Sequence, residues 1–312
     1  MIRIAAAALI AASTSLSAMA ADIGPAALHR YVSNHISWNT NSYWIEGEDG
    51  IALIDAQLLP SDARRLAGQI KASGKPLAGV IVTHPHSDHF GGLPVLKDLF
   101  GDFPIYATQA TADGFAPTLK QMLASYKMPN AFGEALDERL VMPTSIIKDG
   151  ETVTIAGIDF EIHDLGAGEA ADNIIAYQRD LNVVFAGDTF YPFAHYYVGE
   201  GHIGGVLKHL EFLKANFSEE TYVLPGHNDA SRIRAADQQI AYINKFVEAV
   251  KDARLADGAL DTNGRLTREA RGAVVEQLMQ DYAAYDDYSF GSRTILTWNS
   301  YGVEAWLMAQ KD

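Results

Sequence analysis

His84, Pro85, His86, Ser87, Asp88 and His89 place three imidazoles and a carboxylate within six residues, at the end of the apolar run 79–83. A buried strand that opens into such a loop brings several nitrogen and oxygen donors to one point. That suits a divalent transition metal such as zinc. Alternate residues of an extended chain point to opposite sides, so His84 and His86 need a turn around Pro85 before both can face one ion. The competing reading is a polar surface loop with coincidental histidines. The chain has 10 His in 312 residues, so four donors in six positions argue against coincidence. Further donors stand singly beside apolar runs: Asp55 after 51–54, Glu169 within 165–173, Asp188 after 183–187 and His227 after 223–226.

The elements that must position these donors alternate between strands and helices. Strand-like runs lie at 42–46 and 51–54, followed by a helix from Ser61, its expected N-cap, to a stop at Gly74. The strand 79–83 carries the histidine loop, Gly91-Gly92 opens the next helix, and 104–107 reads as a strand. The second half gives a hairpin of 152–155 and 158–163 around Ala156-Gly157, strands at 174–178 and 183–186, a helix over 203–216 and a strand over 221–224. The donors follow the carboxyl ends of these strands, where layered α/β folds collect their chemistry.

Two stretches break the rhythm. Residues 111–148 contain Pro117, Pro129 and Pro143 and one helical piece near 118–127; surface decoration is the simpler reading and a substrate-covering lid the other. Residues 229–285 read as two amphipathic helices split by 258–264, with Ile233, Ile240, Tyr242, Ile243, Phe246, Val247 and Val250 as core or helix-pairing surface. No fixed-period repeat occurs, so residues 21–312 are expected to form one domain with its core at about 40–230.

Residues 1–20 combine Arg3, a short apolar run and Ala18-Met19-Ala20, the three parts of a cleavable export signal. The expectation is a periplasmic or secreted protein with no membrane anchor. Cysteine is absent, which excludes disulfides and thiolate ligands. A net charge of −15 argues against nucleic acid or an anionic membrane as partner and leaves a small-molecule substrate. Oligomeric state is not given by any of these features.

The order His-x-His-x-Asp-His, then Gly187-Asp188, then Pro225-Gly226-His227, resembles the metallo-β-lactamase superfamily across residues 40–230. The resemblance implies an α/β fold, a four-layer αββα sandwich with appended C-terminal helices, and a binuclear site along one edge of its sheets. Carried over by position, His84 and His86 belong to a first metal, and Asp88, His89 and His227 to a second. Asp188 bridges or serves the second ion, and Asp55 supports the loop. The third ligand of the first metal is usually a His in Gly-x-Gly-His-Thr, but Glu169 stands there. Glutamate at this place resembles the alkylsulfatase-type members; the alternative is a solvated loop carboxylate beside a crippled first site. The implied cofactors are two zinc ions, with iron or manganese admitted by the harder oxygen ligand.

The implied chemistry is hydrolysis by a hydroxide that bridges the ions, with Asp88 orienting the nucleophile. Opening of a β-lactam amide is the leading reading. Asp172-Asn173 followed by two aliphatic residues supports it, whereas Tyr191 stands where such enzymes often carry a carboxylate-binding lysine. Lys208 or the loop tyrosines would have to replace that lysine. Tyr191, His195, Tyr196 and His202 are the substrate-binding candidates, on the aromatic loop after Asp188. His163 is expected to be structural and His209 a surface residue. The alternatives are an esterase, lactonase, phosphodiesterase or alkylsulfatase, a mononuclear iron dioxygenase, or a non-catalytic metal binder.

Overall fold

The computed structural model describes residues 28–125, 133–285, 287 and 291–310, so the proposed export signal lies outside the described residues. Strands β1 (Leu28–Val32), β2 (Asn41–Glu46), β3 (Ile51–Ile54), β4 (Leu77–Ile81), β5 (Ile105–Ala107) and β6 (Ser145–Ile146) form one sheet in that spatial order. The first three are antiparallel and the rest parallel. The second sheet runs β12-β11-β10-β9-β8-β7, from β7 (Thr152–Ile155), β8 (Ile158–Asp164), β9 (Ile174–Gln178), β10 (Val183–Gly187), β11 (Tyr222–Pro225) and β12 (Ser231–Arg232). Its parallel pair, β10 and β11, is joined by a helical crossover.

The helices are α1 (Pro60–Ala72), α2 (Ser87–Phe90), α3 (Leu93–Phe100), α4 (Gln109–Ser125), α5 (Ile203–Asn216), α6 (Ala236–Leu255), α7 (Arg268–Asp281) and α8 (Ser292–Ala309). None of the described helices is long and apolar enough to cross a membrane.

Side chains alternate faces along a strand, so a strand buried on both sides reads as a continuous apolar run. In β3, Ile51 and Leu53 pack under α1 and α3, beside Leu66, Ile70 and Leu96, while Ala52 and Ile54 face the other sheet. In β10, Val183 and Phe185 meet that same inter-sheet core, and Val184 and Ala186 face outward to Val206, Leu210 and Phe246 of α5 and α6. The result is four layers, helix on sheet on sheet on helix, with each fully buried Phe or Ile worth about 1.5–3 kcal/mol.

Most strand bounds agree with the sequence reading to within one or two residues, and the hairpin turns at Ala156 and Gly157, both at positive φ. Several expectations need correction. Ser61 is not the N-cap: α1 starts at Pro60, whose missing N–H suits the first helical turn. Leu59 is the extended N-cap, and the Ser61 N–H donates to Glu134 Oε1. The helix near 118–127 begins earlier, at Gln109, and carries Pro117 inside it. Phe115 of α4 stacks on Phe90 at 3.9 Å, tying that helix to the histidine loop. The helices α6 and α7 were expected; β1 and α8 were not. In α8 the buried face includes Asn299 and Glu304 as well as Ile295, Leu296 and Val303, so its periodicity is masked by polar residues. Asn299 bonds the backbone of Val198 and Tyr196, and Glu304 accepts from Arg254, Arg271 and the Leu266 N–H.

Candidate metal centre

The histidine loop leaves β4, bends at His84 and Pro85 and enters the one-turn α2 at Ser87, so a turn and not an extended strand gathers its donors. Two groups result: His84, His86, Glu169 and Asp188, and Asp88, His89 and His227, the donor atoms of each within 4.8 Å of one another. Asp188 stands between the groups. Its Oδ2 is 3.7 Å from His84 Nε2 and 3.2 Å from His227 Nε2, and its Oδ1 is 3.5 Å from His89 Nε2. Glu169 is 2% exposed, with Oε2 3.2 Å from His86 Nδ1 and 3.8 Å from His84 Nε2. It is therefore not a solvated loop carboxylate. Asp172 and Asn173 hold its loop: Asp172 accepts from Thr108 and Thr111, and the Asn173 amide donates to Gly166 O and Ala170 O.

Each imidazole has its far nitrogen on an oxygen. Asp55 Oδ2 takes the His89 Nδ1 proton at 2.8 Å and also holds the Thr83 hydroxyl, whose oxygen lies 2.9 Å from His84 Nδ1. His86 Nε2 meets Glu200 Oε1 at 3.0 Å, and His227 Nδ1 donates to the Trp38 carbonyl at 2.9 Å. In the neutral rings this pattern selects the tautomer whose near nitrogen presents a lone pair, the arrangement seen around metal-binding imidazoles. Among the buried polar atoms without a hydrogen-bond partner are His84 Nε2, His89 Nε2, Glu169 Oε2 and Asp188 Oδ1, all pointing into the cluster. The residues fit a pair of divalent cations, with Asp55 buried behind them instead of in a solvated turn.

Charge in the cluster is mutually held. Burial opposes ionisation of Asp88 and Asp188, but His89 beside the first and His227 beside the second keep both well below the usual carboxylate range. Burial likewise opposes protonation of His86, His89 and His227. Glu169, Asp88 and Asp188 respectively outweigh it, raising His227 to about 10. Burial and the neighbouring His89 hold His84 well below its ordinary value, and burial raises Glu169 to about 7.

The metal-free protein should therefore have a stability window. The raised histidines contribute below the ordinary 6.5, and that contribution is lost as pH rises through their folded values. Glu169 adds to the loss between 4.5 and about 7, while His84, held low, acts in the opposite sense and destabilises the fold as pH falls below 6.5. The depressed aspartates contribute above 3.8, and this is lost as pH falls through their folded values. Chelated protein is expected to melt highest in mildly acidic solution, at about pH 4–6, and progressively lower toward alkaline pH. A divalent cation should remove that alkaline fall. Melting curves that keep the same pH dependence with and without the cation would contradict this.

A cavity of about 520 Å³ opens over the cluster, bounded by Asp88, Glu169, Asp188, His227 and His86 and, above them, by residues of α4 and α8. The four substrate-binding candidates divide. Tyr191 lines the cavity. Tyr196 does not: it is fully buried and its hydroxyl donates to the Asp188 carbonyl. His195 is also buried away from the cavity, 3.2 Å from the Tyr242 hydroxyl among helix-packing rings. His202 lies outside the wall, with its ring 3.8 Å from Glu200 Oε2, and Lys208 is not on the wall either.

His209 is buried, not a surface residue. Its Nε2 donates to Leu165 O at 2.7 Å and its ring presses on Gly168, where a Cβ would lie 2.2 Å from Cε1. It thus fixes the Glu169 loop. His163 packs on Phe212 and Phe217, as a structural histidine should.

The sequence reading also missed Trp38, Thr40 and Glu200. Thr40 Oγ1 donates to Asp88 Oδ2 at 3.0 Å, and the Trp38 contribution is a backbone carbonyl that no side-chain motif advertises.

The sequence model of the metallo-β-lactamase superfamily matches residues 37–227. The chain is 26% identical to the metallo-β-lactamase IND-1 of Chryseobacterium indologenes over 67% of its own length and 80% of that protein's. It is 27% identical to a hydroxyacylglutathione hydrolase of Yersinia pestis over 56% of its length and 61% of the relative's. Its fold is similar to that of a metallo-β-lactamase family protein from Thermus thermophilus, with a TM-score of 0.65, 18% identity, and 91% and 94% of the two chains covered. With the donor order, the layered sheets and the matched span in agreement, the chain belongs to the metallo-β-lactamase superfamily.

Proposed function

We propose that this chain hydrolyses an acyl bond of a small organic substrate at two divalent ions, zinc being the favoured pair. His84, His86 and Glu169 would hold one ion and Asp88, His89 and His227 the other, with Asp188 between them. The observation that carries this is the orientation of all four imidazoles by oxygens behind them, with Glu169 Oε2 and Asp188 Oδ1 left without hydrogen-bond partners inside the cluster. Such ions, when bound, supply Lewis acidity for the acyl oxygen and a water of lowered pKa.

The protein's own groups supply orientation and a proton acceptor. Asp88 faces the cavity, and the Thr40 hydroxyl and the His227 and His89 rings fix its carboxylate. We assign it to orient the attacking water and to hold the proton that water loses. Ser87 does not compete as nucleophile, because its buried Oγ has no hydrogen-bond partner and hence no base.

Two narrower substrates fit this chemistry. The β-lactamase relative favours a β-lactam amide, and the hydroxyacylglutathione hydrolase relative favours an ester-like acyl bond. On this reading residues 1–20 are an export signal and the enzyme acts outside the cytoplasm, on small molecules alone. The test is turnover of a nitrophenyl ester, a lactone, a penicillin, a cephalosporin and a carbapenem, with zinc and with chelator. Chelator-sensitive hydrolysis of any of them supports the proposal; zinc-replete protein inert to all five overturns it.

A further inference from the structure

We infer that the substrate is an acyl compound whose bulky apolar or aromatic part lies between α4 and α8, and that this part of the cavity, away from the donor cluster, disfavours a free carboxylate. This rests on the acyl-hydrolase reading above and names the substrate class within it.

The cavity has two unlike ends. Its floor is the donor cluster. Its upper walls come from two helices: Thr118, Gln121, Met122 and Ser125 on α4, and Ile295, Trp298 and Tyr301 on α8. The α4 set recurs at three- and four-residue spacing and the α8 set at three, so each is one helix face. Trp38 and Tyr197 close the remaining sides. Trp298 and Tyr301 remain 38% and 49% exposed, although their rings are large and apolar. Exposed apolar surface gathered at one concave place marks where a ligand is covered. At about 520 Å³ the space holds much more than an acetyl group, and the aromatic rings suit a flat or branched apolar partner.

Charge points the same way. Glu200 stands on the wall with Oε1 3.0 Å from His86 Nε2, and no Lys or Arg is among the described lining residues. Arg271 comes within 3.6 Å of the Tyr301 ring centroid, but its guanidinium is held by Ser300 and buried Glu304. A carboxylate on the part held between the two helices, away from the donor cluster, would lose water and meet Glu200 without a cation on the described helix walls.

The experiment measures kcat and KM of zinc-replete protein for p-nitrophenyl acetate, valerate, 4-phenylbutyrate and hemiglutarate. The last carries a terminal carboxylate on an acyl chain of valerate length. We expect kcat/KM to rise about tenfold or more from acetate to phenylbutyrate, mostly through KM, and hemiglutarate to fall about tenfold below valerate. Trp298→Ala should collapse the phenylbutyrate-to-acetate ratio and Trp298→Phe restore much of it. Met122→Ala on the facing helix should flatten the same ratio without touching α8. Glu200→Gln should narrow the valerate-to-hemiglutarate ratio, read within the variant because the substitution also touches His86. Equal kcat/KM for acetate and phenylbutyrate, or for valerate and hemiglutarate, overturns the inference while leaving the hydrolase reading intact. Failure to turn over any of the four overturns the ester side of that reading and the inference with it.

Discussion

Asp88→Asn is expected to lose hydrolysis by about 10²–10⁴-fold, the range for removing a positioned proton acceptor, while the protein still folds. Asparagine keeps the shape, and the Thr40 hydroxyl can still donate to its carbonyl oxygen, as it does to Asp88 Oδ2. The negative charge is lost, however, between His89 at 3.3 Å and His227 at 3.1 Å. Metal content should fall from two ions per chain toward one. Steady-state kinetics, metal analysis and far-ultraviolet circular dichroism check the three parts. Wild-type turnover by a variant with native circular dichroism would remove Asp88 from the site.

A single methyl group at Gly226 should be almost as damaging. A Cβ there would lie 2.1 Å from Asp188 Oδ1 and 2.6 Å from His89 Cε1. Neither can retreat, since Asp55 holds His89 from behind and both residues are buried. The backbone is pinned as well: the Gly226 N–H donates to Gly187 O at 2.7 Å, and its carbonyl accepts from Asn41 N at 2.6 Å. Overpacking of this kind costs about 1–3 kcal/mol, and a catalytic group displaced by about 1 Å costs about 10²-fold in rate. Gly226→Ala is thus expected to lower kcat/KM about 10²-fold or more and to weaken metal binding. Gly68→Ala, with nothing within 4 Å of the added Cβ on α1, should leave activity unchanged and raise stability by about 0.4–1 kcal/mol. Equal activity in the two variants would show that the Pro225-Gly226-His227 turn does not set the ligand geometry.

What the sequence could show depended on how each residue acts. Strands β3 and β10 were legible because burial on both faces demands an unbroken apolar run. The seven donors were legible because few residue types bind cations and these fall at strand ends. Asp55 could be found by position, although the proton it takes from His89 is visible only in three dimensions. His209 was misjudged because a helical sequence does not reveal that its ring plugs the space above Gly168. His195 and Tyr196 neighbour Tyr191 and Tyr197 in sequence, but the loop turns them inward while Tyr191 and Tyr197 line the cavity. Helix α8 escaped because its buried Asn299 and Glu304 satisfy backbone and arginine groups from distant segments. Trp38 contributes through a carbonyl oxygen, which every residue possesses.

The central claim is that these seven donors make one two-ion hydrolytic site. The most direct measurement is a zinc titration of chelated protein, following bound metal and hydrolysis of a nitrophenyl ester in the same samples. Two zinc ions bound per chain, with hydrolysis absent before the first addition and complete at the second, is the predicted result. Full hydrolysis by metal-free protein, or saturation at two ions with no hydrolysis gained, would contradict it.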